Sequence, residues 1–167
     1  MVAATVTTRN IIGTDLALTR YTGASGAAPL DSADSWGTVD LRIAPGGRGG
    51  LALAGEPIDL AAISGRENLG QAIVLRLLTA RGSLSPLGHP EYGSRLIELI
   101  GRTNNDTTKN LARLYTIEAI AQERRAISLL DLAVETAPGR PDTIQIRFSI
   151  VPIDDTNPLA LTLEVTL

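Results

Sequence analysis

The chain has 167 residues, of which 44% are apolar and only 3% aromatic, so it is long enough for one domain with a real core, and that core must be aliphatic. It contains no cysteine and a single histidine, which excludes a disulfide scaffold, thiolate metal sites and the multi-histidine sites of zinc and non-haem iron; a metal would have to be held by carboxylates alone. Fifteen basic against eighteen acidic residues give a net charge of −3 without any block of five or six like charges, which leaves no electrostatic footprint for nucleic acid and, with so few aromatic rings, no base-stacking platform.

The first residues, MVAATVTTRN, lack the charged start and apolar core of a signal peptide, and no stretch of about 18 apolar residues follows anywhere. The expectation is a soluble protein made in the cytoplasm. Residues 1–37 read as an irregular N-terminal arm with one short strand, because Tyr21 to Gly37 is crowded with small, turn-forming residues and shows no apolar period. The folded domain is expected over 38–167. It begins with alternation at Val39, Leu41 and Ile43, a flexible APGGRGG turn, and renewed alternation at Leu51 and Leu53, which predicts a hairpin.

Ser64-Gly65-Arg66-Glu67 has the form of a capping box and opens a helix through Leu78. Leu69, Ile73 and Leu77 share one face of it and Val74, Leu75 and Leu78 widen that face, so the helix is expected to be central. A proline- and glycine-punctuated loop with the lone His89 comes next. Tyr92, Leu96, Leu99 and Ile100 then fall at helical spacing, with Gly101 placed to stop a short second helix in the left-handed conformation. Asn104, Asn105 and Asp106 offer caps for a third helix from Thr107 to about Glu123, carrying Leu111, Leu114, Tyr115, Ala119 and Ile120. From Ile127 the texture becomes strand. Ile144, Ile146, Phe148 and Ile150 alternate with Thr143, Gln145, Arg147 and Ser149; after the turn IDDTNP, Leu159, Leu161, Leu163, Val165 and Leu167 alternate to the last residue. Helices in the middle and strands at the end predict an α+β fold, with central helices packed on a C-terminal antiparallel sheet.

Each chemically suggestive group has a plain structural explanation. His89 with Glu91 resembles an acid–base pair, and Ser83, Ser85 or Ser94 a nucleophile, but there is no nucleophile elbow and no triad spacing; a histidine beside proline in a connecting loop is ordinarily a turn residue. Glu91 and Glu98 form a glycosidase-like pair only if folding sets them ~5 to 9 Å apart. APGGRGG lacks the lysine and hydroxyl residue of a phosphate loop, and Asp154 and Asp155 suit a turn as well as a divalent cation. No catalytic, metal or cofactor site is therefore expected. The final strand is different: it alternates strongly, carries no lysine or proline to blunt an edge, and nothing follows to cover it. Either it lies inside its own sheet or another subunit pairs with it.

The runs SGRENLGQAI, LRLLTARGSL and GHPEYGSRLIELIG together resemble the small baseplate wedge protein of contractile phage tails, whose counterpart in type VI secretion is TssE and which contractile injection systems also carry. The similarity extends from roughly Leu51 to the C-terminus. Members are often named tail lysozyme-like without being established lysozymes. The resemblance implies a structural, non-enzymatic component in six symmetry-related copies, bound to baseplate wedge proteins and sheath subunits, with the central hub or tube as a further neighbour, and assembled in the cytoplasm into a phage-like particle without membrane insertion. It also implies that a Glu-Pro-Arg motif after the third helix docks on the wedge. Here that place reads Glu123-Arg124-Arg125, with arginine where the family has proline, which frees φ and restores an amide donor. The family's C-terminal strands initiate the sheath by strand pairing, a role that falls on Leu159, Leu161, Leu163, Val165 and Leu167. Pro90, Tyr92, Gly93 and Ser94 become a structural loop, in which Tyr92 and Leu96 are expected to plug the core and Arg95 to reach a neighbour. The rival reading is a cell-wall-cleaving, lysozyme-like glycosidase using Glu91 and Glu98.

Overall fold

A computed structural model of the chain describes residues 13–16, 43–45, 58–60, 62–153 and 155–167. Its centre is an antiparallel sheet of β5 (Ala126–Thr136), β6 (Thr143–Pro152) and β7 (Leu159–Thr166), in the order β5-β6-β7. Because side chains in a strand alternate between faces, Ile144, Ile146, Phe148 and Ile150 of β6 and Leu159, Leu161, Leu163 and Val165 of β7 build one continuous apolar face, and all eight are buried. Two helices lie on that face. α1 (Gly65–Leu78) packs against β7, and α2 (Asp106–Ala121) against β5 and β6, so the expected α+β architecture is the observed one.

α1 is as central as its composition requires: Leu69, Ile73 and Leu77 are fully buried, and Asn68, Gln71 and Val74 nearly so. It starts at Ser64, as expected, but Ser64 makes no side-chain capping bond. Gly65 enters the helix at φ +59°, whereas a capping box needs helical φ at that position, so the reciprocal bonds do not form. Arg66 instead reaches across to the β6–β7 turn, pairing with Asp155 and donating to the carbonyls of Asn157 (2.7 Å) and Pro158 (2.8 Å). α2 is capped by Asn105, whose Oδ1 accepts from the Thr108 amide at 2.9 Å. Its inner face presents Ala112, Tyr115, Ala119 and Ile120, while Leu114 points outward.

The short second helix is not there. Between α1 and α2 the chain forms only a 3-10 turn at Leu96–Leu99, with Leu96 and Leu99 buried and Ile100 exposed. The backbone just before it is already engaged: the Ser94 amide donates to Thr79 O (2.8 Å), the Arg81 amide to Ser94 O (2.9 Å), and Ser94 Oγ to Leu77 O (2.5 Å). These bonds hold the loop parallel to the end of α1 and leave Tyr92 half-buried outside the core. Gly101 does take the left-handed conformation, at φ +85°.

At the N-terminal side, β1 (Thr14–Leu16) pairs with β4 (Ala62–Ser64), and β2 (Ile43–Pro45) with β3 (Ile58–Leu60), both antiparallel. The hairpin therefore closes from Ile43 onto 58–60. Val39, Leu41, Leu51, Leu53, most of the glycine turn and the arm Tyr21 to Gly37 lie outside the described residues. β1 is tied to α1 by Gln71, whose Nε2 donates to Leu16 O at 2.8 Å.

Gly93 is the tightest point of the loop. A Cβ there would sit 2.6 Å from Thr79 O and 2.9 Å from Ala80 C, at φ +106°. Gly93→Ala should cost about 3 kcal/mol or more, against about 1 to 2 kcal/mol for Gly88→Ala, where φ is +84° and nothing crowds the added atom. Urea unfolding of the two variants measures the difference, and equal losses would contradict the close approach.

Candidate functional site

Glu123 sits in the turn from α2 to β5 and is buried. Arg125, one step from the start of β5, encloses its carboxylate: Nε donates to Oε1 at 2.7 Å, Nη2 to Oε2 at 3.0 Å, and the Arg125 amide to Oε1 at 3.3 Å. Arg76 approaches from α1, with Nη2 3.5 Å from Oε2. Burial alone would raise the Glu123 pKa; the Arg125 hydrogen bonds and charge, with the charge of Arg76, outweigh it and hold the carboxyl below its ordinary value. The glutamate is an ionised joint between α1, α2 and β5. Its bidentate partner is an arginine, as planar carboxylate recognition favours.

Arg76 also carries the second group of candidate residues to the same place. Its guanidinium lies over the Tyr92 ring, 4.5 Å from the centroid, so Tyr92 contributes a cation–π contact instead of a core plug. Burial, the largest influence on the Tyr92 hydroxyl, pushes its pKa up. The result is an open cleft of about 710 Å³ between this loop and the end of α2, lined by Arg76, His89, Pro90, Glu91, Tyr92, Ala121, Gln122 and Arg124. The Glu123 turn and the Pro90 to Ser94 loop, separate in sequence, share this site.

Other candidates scatter. Glu91 pairs with Arg81. Glu98 does not line the cleft: Arg95 clasps it through Nε (2.9 Å) and Nη2 (3.0 Å), and those bonds hold its carboxyl below the usual range. Arg95 is thereby committed within the chain, over the Tyr115 ring. Asp155 is lowered by the bond from the Asn157 amide and by Arg66, and Asp154 lies outside the described residues. Among the described residues, no group of three or more histidine, aspartate or glutamate side chains is placed to hold a metal, and no helix is long and apolar enough to cross a membrane.

The second surface is the edge of β7. Leu159, Leu161, Leu163 and Val165 are sealed in their own core and Leu167 is half-buried against it, so these side chains face inward. The Leu167 amide donates to Asp142 O, and from the register this bonding alternates: the odd residues bond to β6, while N–H and C=O of Ala160, Thr162, Glu164 and Thr166 point away. No described strand pairs with that edge. The Glu164 side chain does not blunt it, being buried under Arg140 and bonded by Gln145 Nε2 at 3.0 Å. β7 runs against β6 through eight register pairs without a bulge, whereas the opposite edge strand, β5, breaks register twice. Bulges are a common device for protecting an edge, and β7 lacks one. Sequence reasoning picked out the strand by its apolar residues; their side chains line the core, and the outward main-chain groups belong to the intervening residues.

No family model matches the sequence, and no curated protein does. The fold is similar to that of a crystal structure of a candidate tail lysozyme from Geobacter sulfurreducens, at 21% identity and a TM-score of 0.53, over 60% of this chain and 89% of that one. The likeness is one of fold.

Folding lowers the Glu123 pKa from an ordinary value of 4.5, so its ionised form contributes stability that is complete above that pH and is lost as pH falls through the folded value. Glu123→Gln should cost about 1.5 to 3 kcal/mol at neutral pH and flatten the fall of the urea midpoint below about pH 4.5. An acid limb parallel to that of the wild type would contradict the assignment.

Proposed function

We propose that this chain is a structural, non-enzymatic component of the baseplate of a contractile injection system or phage-like tail, which docks on the wedge through the Glu123 turn and initiates sheath assembly by strand pairing along β7. The observation that carries the proposal is the edge itself: eight regular residues, four of them with outward main-chain donors and acceptors and no blunting charge. The fold shared with a candidate tail lysozyme supports a place in a tail. In this reading wedge proteins bind near Glu123, Arg124 and Arg125, sheath subunits add strands at β7, and six copies surround a central hub or tube.

The lysozyme name of that structural relative favours a second reading, a cell-wall glycosidase. The carboxylates argue against it. A glycosidase acid needs a raised pKa, whereas Glu98 is held low by Arg95; the partner carboxylate, Glu91, is engaged in an ion pair with Arg81.

Deleting the strand would remove four core side chains, so the test must spare them. Thr162→Pro removes one outward N–H and keeps the apolar face, and Thr162→Lys places a charge beside the edge. Both variants should retain the far-ultraviolet circular dichroism of the wild type and incorporate into baseplates, while the fraction of baseplates bearing sheath falls at least about tenfold for Thr162→Pro, the effect of losing about 1.4 kcal/mol of pairing. Sheath assembly at the wild-type level on baseplates containing either variant would overturn the proposal.

A further inference from the structure

The cleft beside the Glu123 turn holds one arginine without a counter-ion, and another without enough acceptors, among the described residues. Arg66, Arg81, Arg95, Arg125, Arg140 and Arg147 each face a carboxylate. Arg124, in the same turn as Glu123, is exposed, lines the cleft, and pairs with no described residue. Arg76, in the cleft wall, offers a full guanidinium to two long contacts, Glu123 at 3.5 Å and Gln122 Oε1 at 3.4 Å, and its buried Nε has no acceptor. Nε is too deeply buried to meet a ligand, but the two Nη groups, engaged only by these long contacts, keep spare capacity for an incoming acceptor. Its negative charges are already spent: Glu123 on Arg125 and Arg76, Glu91 on Arg81.

The rest of the wall is mixed: His89, Gln122 and the paired Glu91 are polar, and one side is apolar. Pro90, the Tyr92 ring and Ala121 flank the arginines, and Ala121 continues a stripe along α2 through Ile117 and Leu114, which are 43% and 47% exposed at helical spacing. A single charge uncompensated among the described residues, with an apolar side beside it, fits a monoanion with apolar neighbours. A polyphosphate or nucleic acid would need several free cations in a row.

We infer that this cleft is the receptor for one carboxylate, a glutamate or aspartate side chain flanked by apolar residues, on the protein that docks at the Glu123 turn. The inference rests on the docking reading above and adds the chemistry of what docks: Arg124 supplies the charge, Arg76 the fixed donors, and Tyr92 and Ala121 the apolar walls.

The test uses the full chain and two probes, acetyl-Leu-Glu-Leu-amide and acetyl-Leu-Gln-Leu-amide, followed by amide chemical shifts of Tyr92, Gln122 and Arg124. The glutamate peptide should shift these signals saturably, and the glutamine peptide should bind about tenfold more weakly, the worth of one charge-assisted hydrogen bond. In Arg124→Gln, an exposed change that spares the core, the two peptides should bind alike. Absence of saturable shifts, equal affinities in the wild type, undiminished discrimination in Arg124→Gln, or inorganic phosphate binding as tightly as the glutamate peptide would each overturn the inference. Purified wedge complexes separate it from the reading on which it rests. If Arg125→Gln, with its fold checked by circular dichroism, is released from wedges while the peptides bind alike, the docking surface stands and the cleft chemistry falls. Retention of Arg125→Gln by wedges alongside a discriminating cleft would do the reverse.

Discussion

The alternation of β7 decides what that strand can offer another molecule. Once Leu159, Leu161, Leu163 and Val165 are committed to the core beneath α1, the same parity commits their main-chain groups to β6, since side-chain face and hydrogen-bonding direction are fixed together by the register. Only the intervening residues have backbone groups left over. A one-residue slip would expose four apolar side chains, so the strand is held in place far more firmly than an edge of mixed composition. Arg66 adds to this by fixing the turn before β7 through Asp155 and two carbonyls. The edge is thus both unpaired among the described residues and rigidly presented, which lowers the entropic cost of adding a strand.

A different kind of bond organises the turn from α2 into β5. Glu123 is nearly removed from water, and it stays ionised because Arg125 and Arg76 surround it. Breaking one member of such a set costs more than the set contributes over an apolar equivalent, so its value lies in fixing geometry. Arg76 transmits that geometry to Tyr92, and the Ser94 bonds to Thr79 and Leu77 transmit it onward to the end of α1. Two surfaces, one charged and concave, the other a bare strand, are held by a common core.

Much of this was readable in the residues. The period-two alternation of β6 and β7 and the wide apolar face of α1 are strong signals because every position agrees with its neighbours. Elsewhere a local signal lost to a longer-range bond. Tyr92, Leu96, Leu99 and Ile100 have helical spacing, but Ser94 spends the backbone of that stretch on Thr79 and Arg81, leaving one 3-10 turn. The hairpin from Ile43 closes on 58–60, a partner that a glycine-rich turn in the sequence does not specify. At the site, Glu123 and Arg125 were legible as a charged pair. Their link to Arg76 and Tyr92, and the burial of Glu164 under Arg140, depend on contacts between distant segments for which a lone sequence carries no marker.

The parity of β7 also supplies its most direct test, amide hydrogen exchange resolved to single residues. In the isolated chain the amides of Leu161, Leu163 and Val165 should be protected, and those of Ala160, Thr162, Glu164 and Thr166 should exchange freely. In baseplates carrying sheath the second set should become protected as well. If those four amides exchange as fast in the sheathed particle as in the free chain, no strand has been added there, and the account of this edge is wrong.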